Sequence, residues 1–437
     1  MRALTHPWQR AHLGVIEHLV RRLHQLRTAE DFRTLQDDLV ARIYEADELR
    51  TQCSQVERLM AAGADADASW LAVDWQLERI VADRIARQLR TVGDGLAWKA
   101  LNYDRRLVLA MSGNRSNPSL YEKAGFLCEL SVIRELWAGA GHFALIHDAT
   151  NCLKVADVTE CSGLHAIGVD RAKHTCNSER YVLHEVKNRG GRCITQARGR
   201  QLKRMQAAVD AVVNDAPITL PDGRSFQAFR SSLQFKTKLA EVGGLLEAAW
   251  VDGYRVGRLQ QGWIASARAP MVALDRGVDR AAMNAVEDGM RARAGFQPGR
   301  HQFLLSLTDS LGLSPQLAPL SIYPFRPEIC AALICDYLTV VSVIEATAIE
   351  EAFRATGWAD VSTADHIDLA DPTYPPIIRG RVGTAHLATH TGAIQQALVE
   401  FVDLKRQAEA LKEYALASKT HAVTGMLMLR NEKATWH

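Results

Sequence analysis

The run His184-Glu185-Val186-Lys187-Asn188 sets a carboxylate and an ammonium two residues apart. In a strand, alternate side chains share a face, so Glu185 and Lys187 project together while Val186 enters the opposite layer. Upstream, Leu153-Lys154-Val155-Ala156-Asp157-Val158-Thr159 has the pattern of a second strand. Paired with the first, it would bring Asp157 into the same space and place two carboxylates and a lysine at one end of a sheet. Mg²⁺ prefers oxygen ligands, one or two carboxylates with waters and a phosphate, so Asp157 and Glu185 are the expected metal ligands. The metal would polarise a scissile phosphate and acidify a bound water, and Lys187 would orient or help deprotonate that water. The chemistry these residues suit is phosphodiester hydrolysis.

Two further features gather around that pair. Glu122, Phe126, Glu129, Ile133 and Leu136 recur at helical spacing, so Glu129 interrupts an apolar stripe and needs a partner, either a metal, a lysine or a structural ion pair. Downstream, Lys187, Arg189, Arg192, Arg198, Arg200, Lys203 and Arg204 follow one another with no Asp or Glu among them. That is a local field for phosphates inside an otherwise neutral chain, although a solvated basic helix face would carry the same pattern. Leu202, Met205, Val209 and Val212 make the buried stripe of that helix, which leaves Arg200, Lys203 and Arg204 towards solvent or nucleic acid.

The order Glu129, Asp157, Glu185-Val186-Lys187 and then a helix containing Gln201 resembles the core of the PD-(D/E)XK nuclease superfamily, the restriction-endonuclease-like fold. The resemblance covers about residues 118–215. It implies an αβββαβ core in which Asp157 and Glu185 bind metal, Lys187 is the catalytic lysine, Glu129 is the carboxylate of the first helix, and Gln201 is a polar residue of the following helix. It further implies Mg²⁺ as cofactor, with Mn²⁺ as a possible substitute, an endonuclease acting on DNA, and a setting in genome defence, antiviral defence, restriction or repair. Asp157 lacks the Pro that names the family, and the long separation between Asp157 and Glu185 calls for a hairpin or loop. Asp148 and Asp170 are competing candidates for the aspartate.

These residues need elements to position them. Ser119–Ala138 reads as a helix, His142–His147, Leu153–Thr159 and Tyr181–Lys187 as strands, and Thr195–Val213 as a basic helix: a mixed α/β unit. Gly139-Ala140-Gly141 follows a helix, which makes it a C-terminal cap and not a dinucleotide loop. Ahead of this unit, Ile16, Leu19, Val20, Leu23 and Leu26, then Phe32, Leu35, Leu39 and Ile43, mark two long amphipathic helices. Ser69 is a candidate cap for a third, with Trp70, Val73, Leu77, Val81 and Ile85 on one stripe. Strand-like runs at Tyr254–Leu259, Phe303–Leu307, Ser321–Phe325 and Thr339–Ile344 follow. A last helix places Ala397, Phe401, Leu404, Ala408, Leu411 and Ala415 along a short heptad seam. The expected division is a helical region at 1–95, a nuclease-like domain at 96–216 and a C-terminal α/β domain at 217–437, with the terminal helices making a homo-oligomer.

Composition narrows the remaining classes. The chain has 437 residues, 47% hydrophobic and 23% charged, and a net charge of +2, the balance of an ordinary globular protein. Eight cysteines are too few for a disulfide scaffold. Cys152, Cys161, His165, His174, Cys176, His184 and Cys193 crowd one region without the short pairs that zinc sites use. Cys330 and Cys335 sit in an apolar run, Ile329 to Ile344, which falls short of the roughly 20 apolar residues of a membrane span. The N-terminus lacks the apolar stretch of a signal peptide, so the cytoplasm is the expected compartment. No glycine-rich phosphate loop ending in Gly-Lys-Ser/Thr occurs, so any ATPase, like any sensor, would be a separate partner. The reading left beside the nuclease is a non-catalytic nucleic-acid-binding or assembly protein. DNA against RNA, and single strand against duplex, stay open.

Overall fold

The computed structural model describes residues 5–62, 73–112, 119–162, 181–189, 192–196, 200–214, 216, 218–219, 225–226, 233, 236–277, 279–307, 317–364, 378–389 and 391–417. Ser69, His165, Asp170, His174, Cys176 and Arg198 lie outside them. The chain forms two compact units, Met1–Asn214 with Gly312–Tyr323, and Asp215–Leu311 with Pro324–His437. Set against the expected divisions at residues 95 and 216, the N-terminal helices and the sheet share one unit. No helix among the described residues is long and apolar enough to cross a membrane.

The first unit opens with α1 (Pro7–Gln25), α2 (Ala29–Ala61) and α3 (Trp75–Ala100), followed by the short α4 (Arg105–Ala110). Thr28 and Asp31 close a capping box at the start of α2, and Asp74 caps α3 through the Leu77 N–H. The apolar stripes are buried as their periodicity requires: Ile16, Leu19, Val20, Leu23, Phe32, Leu35, Leu39 and Ile43 are at most 1% exposed. Each such side chain contributes about 1.5–3 kcal/mol.

Then come α5 (Phe126–Ala140), β1 (Phe143–Ile146), β2 (Val158–Cys161), β3 (Tyr181–Arg189), β4 (Arg192–Gln196) and α6 (Arg200–Val213). The four strands make one antiparallel sheet in chain order. Gly141 ends α5 in the left-handed region at φ 65°, the cap that its position after a helix predicts. Several expected bounds move. Residues 153–157 are not strand, so Asp157 immediately precedes β2. The basic helix begins at Arg200 and not Thr195, because Arg192–Gln196 folds back on β3. The helix expected from Ser119 begins at Phe126.

Two glutamines cover sheet edges, where unpaired backbone would otherwise face outwards. Gln36 of α2 donates Nε2–H to the Ala144 carbonyl at 2.8 Å and accepts the Ile146 N–H at 3.0 Å. Gln206 of α6 accepts the Leu183 N–H and donates to the Tyr181 carbonyl, both at 3.0 Å, along the part of β3 that β4 does not reach. Helix α3 fixes the turn after β1. Asp94 accepts the Asn151 and Cys152 N–H groups at 2.6 and 2.8 Å, and a Cβ on Gly93 would lie 1.9 Å from the Ala149 carbonyl oxygen.

In the second unit β5 (Ile218–Thr219) pairs with β6 (Ser225–Phe226). Next come α7 (Leu239–Asp252), β7 (Tyr254–Gln260), β8 (Trp263–Arg268), α8 (Pro270–Asp275), α9 (Arg280–Arg293), β9 (Gln302–Leu307), α10 (Pro327–Ile334), β10 (Thr339–Glu345) and α11 (Ala346–Ala355). The order β7-β8-β10-β9 makes an antiparallel sheet whose core includes Val256, Ile264, Ala294 and Val343. Strands β11 (Ala359–Thr363), β12 (Ile378–Val382) and β13 (Ala385–Thr389) form another, followed by α12 (Thr391–Glu400) and α13 (Leu404–Ala417).

The apolar run from Ile329 is buried in α10 and β10, with Cys330 and Cys335 fully enclosed. Two expectations are corrected here. Ser321–Phe325 is no strand: Leu320–Ile322 is a 3-10 turn within the first unit. The single terminal helix is two helices, because Phe401 turns left-handed at φ 52° and its carbonyl, with the Asp403 N–H, pairs to Lys238 and Lys236. The heptad seam is therefore interrupted at Phe401, which stacks on buried Trp263.

Candidate active site

The meander β1-β2-β3 runs in register, with Ile146 opposite Val158 and Val158 opposite His184. Alternation then assigns His147, Asp157, Thr159, Glu185 and Lys187 to one face. The pairing of His147 with Asp157 continues one step past β1, where the His147 N–H donates to the Asp157 carbonyl at 3.0 Å. Buried His147 meets the Thr159 hydroxyl at 2.6 Å and accepts the Ala156 N–H on Nδ1. Burial pulls its imidazole down to about 3, so it is neutral.

Asp157 stands between two groups. One carboxylate oxygen, Oδ2, accepts the Val186 N–H at 2.7 Å, taking the place of a strand carbonyl where β2 begins. The other, Oδ1, lies 3.2 Å from Lys123 Nζ. Val186 separates Glu185 from Lys187, whose Nζ lies 3.1 Å from Glu185 Oε1 on the partly exposed side of β3. The structure thus places Asp157 against the backbone of the Glu185-Val186-Lys187 segment. No ion pair joins Asp157 to Lys187 among the described residues.

Lys123 is the residue that sequence reasoning missed. Its ammonium meets Glu129 Oε1, Asp148 Oδ2 at 2.5 Å and Asp157 Oδ1. Burial opposes its charge, but Asp148 and Glu129 outweigh that cost and raise its affinity for the proton. Glu129, on the first turn of α5, is 1% exposed, and its Oε2 is buried with no hydrogen-bond partner. Asp148, a competing candidate for the aspartate by sequence, joins this cluster while Asp157 keeps its place at β3. The Asp148 carbonyl accepts Arg90 Nε–H at 3.0 Å, and Arg90 also pairs with buried Asp47 at 2.8 Å. Asp47 accepts the Leu120 N–H as well, which ties α2 and α3 to the segment that carries Lys123. A lysine three residues ahead of a helix carries no sequence signal for this role, because the partners come together only in the fold.

Burial lifts the Glu129 carboxyl to about 8 against the pull of Lys123, and Asp157 and Asp148 add to the rise. The folded state therefore holds a proton that the unfolded chain releases in the ordinary carboxyl range. This contribution to stability is complete below the unfolded value of 4.5 and is lost as pH climbs to about 8. Glu129→Gln, which keeps the shape of the neutral form, should flatten the fall in Tm between about pH 5 and pH 8. Thermal melts across that range check it, and an unchanged slope contradicts the burial of an ionisable Glu129.

On the opposite face Glu160 bridges His142 at 2.5 Å and His184 at 3.1 Å, and these bonds outweigh burial to hold its carboxyl below the ordinary range. The expected nucleic-acid residues follow the site along the chain. Arg189 ends β3, Arg192 opens β4, and Arg200, Gln201, exposed Lys203 and Arg204 occupy the first turns of α6. Cys193, among the Cys and His residues considered for zinc, is instead in a disulfide with Cys128, while Cys152 and Cys161 are buried thiols. Among the described residues no set of three His, Cys, Asp or Glu side chains stands ready as a metal cage. The carboxylates closest to that arrangement already converge on Lys123.

No protein-family model, no curated protein and no solved structure matches this chain.

Proposed function

We propose that the chain is a Mg²⁺-dependent endonuclease that hydrolyses phosphodiester bonds of DNA. The observation that carries the reading is the placement of Asp157, with one carboxylate oxygen on the Val186 N–H between Glu185 and Lys187 and the other turned to Lys123 beside Glu129. The order α5, β1, β2, β3, α6 supports a restriction-endonuclease-like core. Strand β4 is an addition to that order, and β5 pairs with β6 outside the sheet.

The residues present fit a divalent cation. The donors are carboxylate oxygens, the set Mg²⁺ prefers, and Glu129 Oε2 is buried with no hydrogen-bond partner. Asp157 and Glu185 would hold the ion, with Glu129 next to them and Mn²⁺ as substitute. Bound there, the ion supplies charge stabilisation at a phosphate and a more acidic water. Lys187, 3.1 Å from Glu185, would bind a phosphate oxygen or orient a water. Glu129 must release its proton before it can serve as a ligand, so affinity for a divalent cation rises with pH through about 8. The basic positions from Arg189 to Arg204 would take the nucleic-acid backbone. Genome defence, restriction or repair in the cytoplasm, a homo-oligomer and a separate ATPase or sensor partner belong to the same proposal.

One observation favours the second reading, a non-catalytic nucleic-acid-binding or assembly protein: Lys123 already pairs with Asp157 and Glu129, two of the carboxylates proposed around a metal. The two readings separate in one assay. The enzyme cuts plasmid or single-stranded DNA with Mg²⁺ or Mn²⁺ and stops with EDTA. DNA binding without metal-dependent cleavage of either substrate supports the scaffold and contradicts the enzyme.

A further inference from the structure

The disulfide Cys128–Cys193 spans 65 residues and joins two elements that flank the proposed site, with Cα atoms 5.1 Å apart. Cys128 is buried in the first turn of α5, immediately before Glu129. Cys193 is exposed on β4, opposite Asn188, and its neighbour Ile194 is opposite Lys187. Among the described residues strand β4 ends the sheet order and pairs with β3. The crosslink therefore fastens an edge strand to the helix that carries the buried carboxylate.

The two ends of the bond differ in access. Cys193 is an exposed residue and Cys128 a buried one, so the Cys193 end is the one that solvent approaches. Cys53, Cys152, Cys161, Cys330 and Cys335 are buried thiols outside this bond. Burial raises the Cys152 thiol and pushes that of Cys330 up to about 12, which keeps both protonated and unreactive.

We infer that Cys193 is a thiol-exchange site for low-molecular-weight thiols of the glutathione class, and that opening the Cys128–Cys193 bond releases β4 from α5 beside the carboxylate cluster. A small thiolate attacks the Cys193 sulfur and the protein S–S bond breaks. The Cys128 sulfur leaves with the electron pair and takes a proton. A second small thiolate attacks the mixed disulfide at the small molecule's sulfur, which frees Cys193 as a thiolate that is then protonated. Two small thiols are oxidised to one small disulfide as the protein disulfide is reduced to two thiols, and excess small disulfide reverses the exchange. The effect on cleavage rests on the nuclease reading; the exchange itself does not.

The test equilibrates the full chain in glutathione buffers from oxidising to reducing, traps free thiols by alkylation and reads each cysteine by peptide mass. Cys128 and Cys193 should become labelled together on reduction and lose the label on reoxidation, while the five buried thiols stay unlabelled. Amide hydrogen exchange over residues 192–196 should rise at least tenfold on reduction. In Cys193→Ser it should be fast in every buffer, with circular dichroism unchanged; Cys128→Ser provides the same check from the other side. Free Cys128 and Cys193 in the oxidising buffer, a bond that resists glutathione in the folded protein, or equal exchange in both states would each overturn the inference. Cleavage should fall at least tenfold in the reduced protein. Equal cleavage in both states removes the link to the site, whereas no cleavage in either, with the labelling as expected, contradicts the nuclease reading and leaves the exchange site standing.

Discussion

Under the proposed nuclease function, Lys187→Ala should lower Mg²⁺-dependent DNA cleavage by about 10²–10⁴-fold, the range lost when a positioned proton-transfer or charge-stabilising group is removed. The side chain is 42% exposed and pairs with Glu185, so the fold and most of the proposed DNA binding should survive. The loss should fall on kcat with KM little changed, because the ammonium acts on charge that develops during the reaction. Asp157→Asn is the companion variant. An amide oxygen can still accept the Val186 N–H, so the strand geometry holds while the anionic ligand is lost. Single-turnover cleavage of a labelled DNA checks both. Wild-type rates in Lys187→Ala would remove that lysine from the mechanism.

Gly93→Ala destabilises the first unit by about 3 kcal/mol, the upper range for forcing a group into a packed interior. The added Cβ would sit 1.9 Å from the Ala149 carbonyl oxygen and 3.0 Å from its carbon, and backbone cannot rotate away as a side chain can. Asp94 next to it holds the Asn151 and Cys152 N–H groups, so movement of α3 also strains those bonds. For a unit of this size, Tm should drop by roughly 6–12 °C. The displaced turn carries Asp148, which contacts Lys123, so cleavage should weaken below the melting range as well. A melt within 1 °C or so of wild type would show that the turn shifts freely and that α3 does not fix it.

Much of the scaffold follows from periodicity. The stripes of α1 and α2, the short strands of the meander and the glycine cap at Gly141 are local patterns, and local sterics and burial decide them. Glu185 and Lys187 share a face for the same reason. Partners distant in sequence are not legible in this way. Residues 153–157 look like strand by their alternation, yet they lead into Asp157 at the start of β2. The Lys154 N–H there bonds to the Met111 carbonyl. Phe401 fits a heptad by spacing, but pairing to residues 236–238 breaks the helix. Glu129 announced its need for a partner by interrupting an apolar stripe. Which partner it takes, Lys123, depends on how the 119–125 segment lies against α2 and the turn after β1. The Cys128–Cys193 bond is illegible for a related reason: it depends on an antiparallel return of the chain, β4 (Arg192–Gln196), where the sequence pattern offers no strand and a helix is expected from Thr195.

The proposed nuclease requires Asp157 and Glu185 to share one divalent cation, at a place where Lys123 stands among Glu129, Asp148 and Asp157. Crystals soaked in Mn²⁺ near pH 8, with anomalous scattering used to locate the ion, measure this directly. One Mn²⁺ peak is expected within bonding distance of oxygens from both Asp157 and Glu185, with Lys123 moved away from Asp157. Lys123 still seated among Glu129, Asp148 and Asp157, with no ion between Asp157 and Glu185, would contradict it.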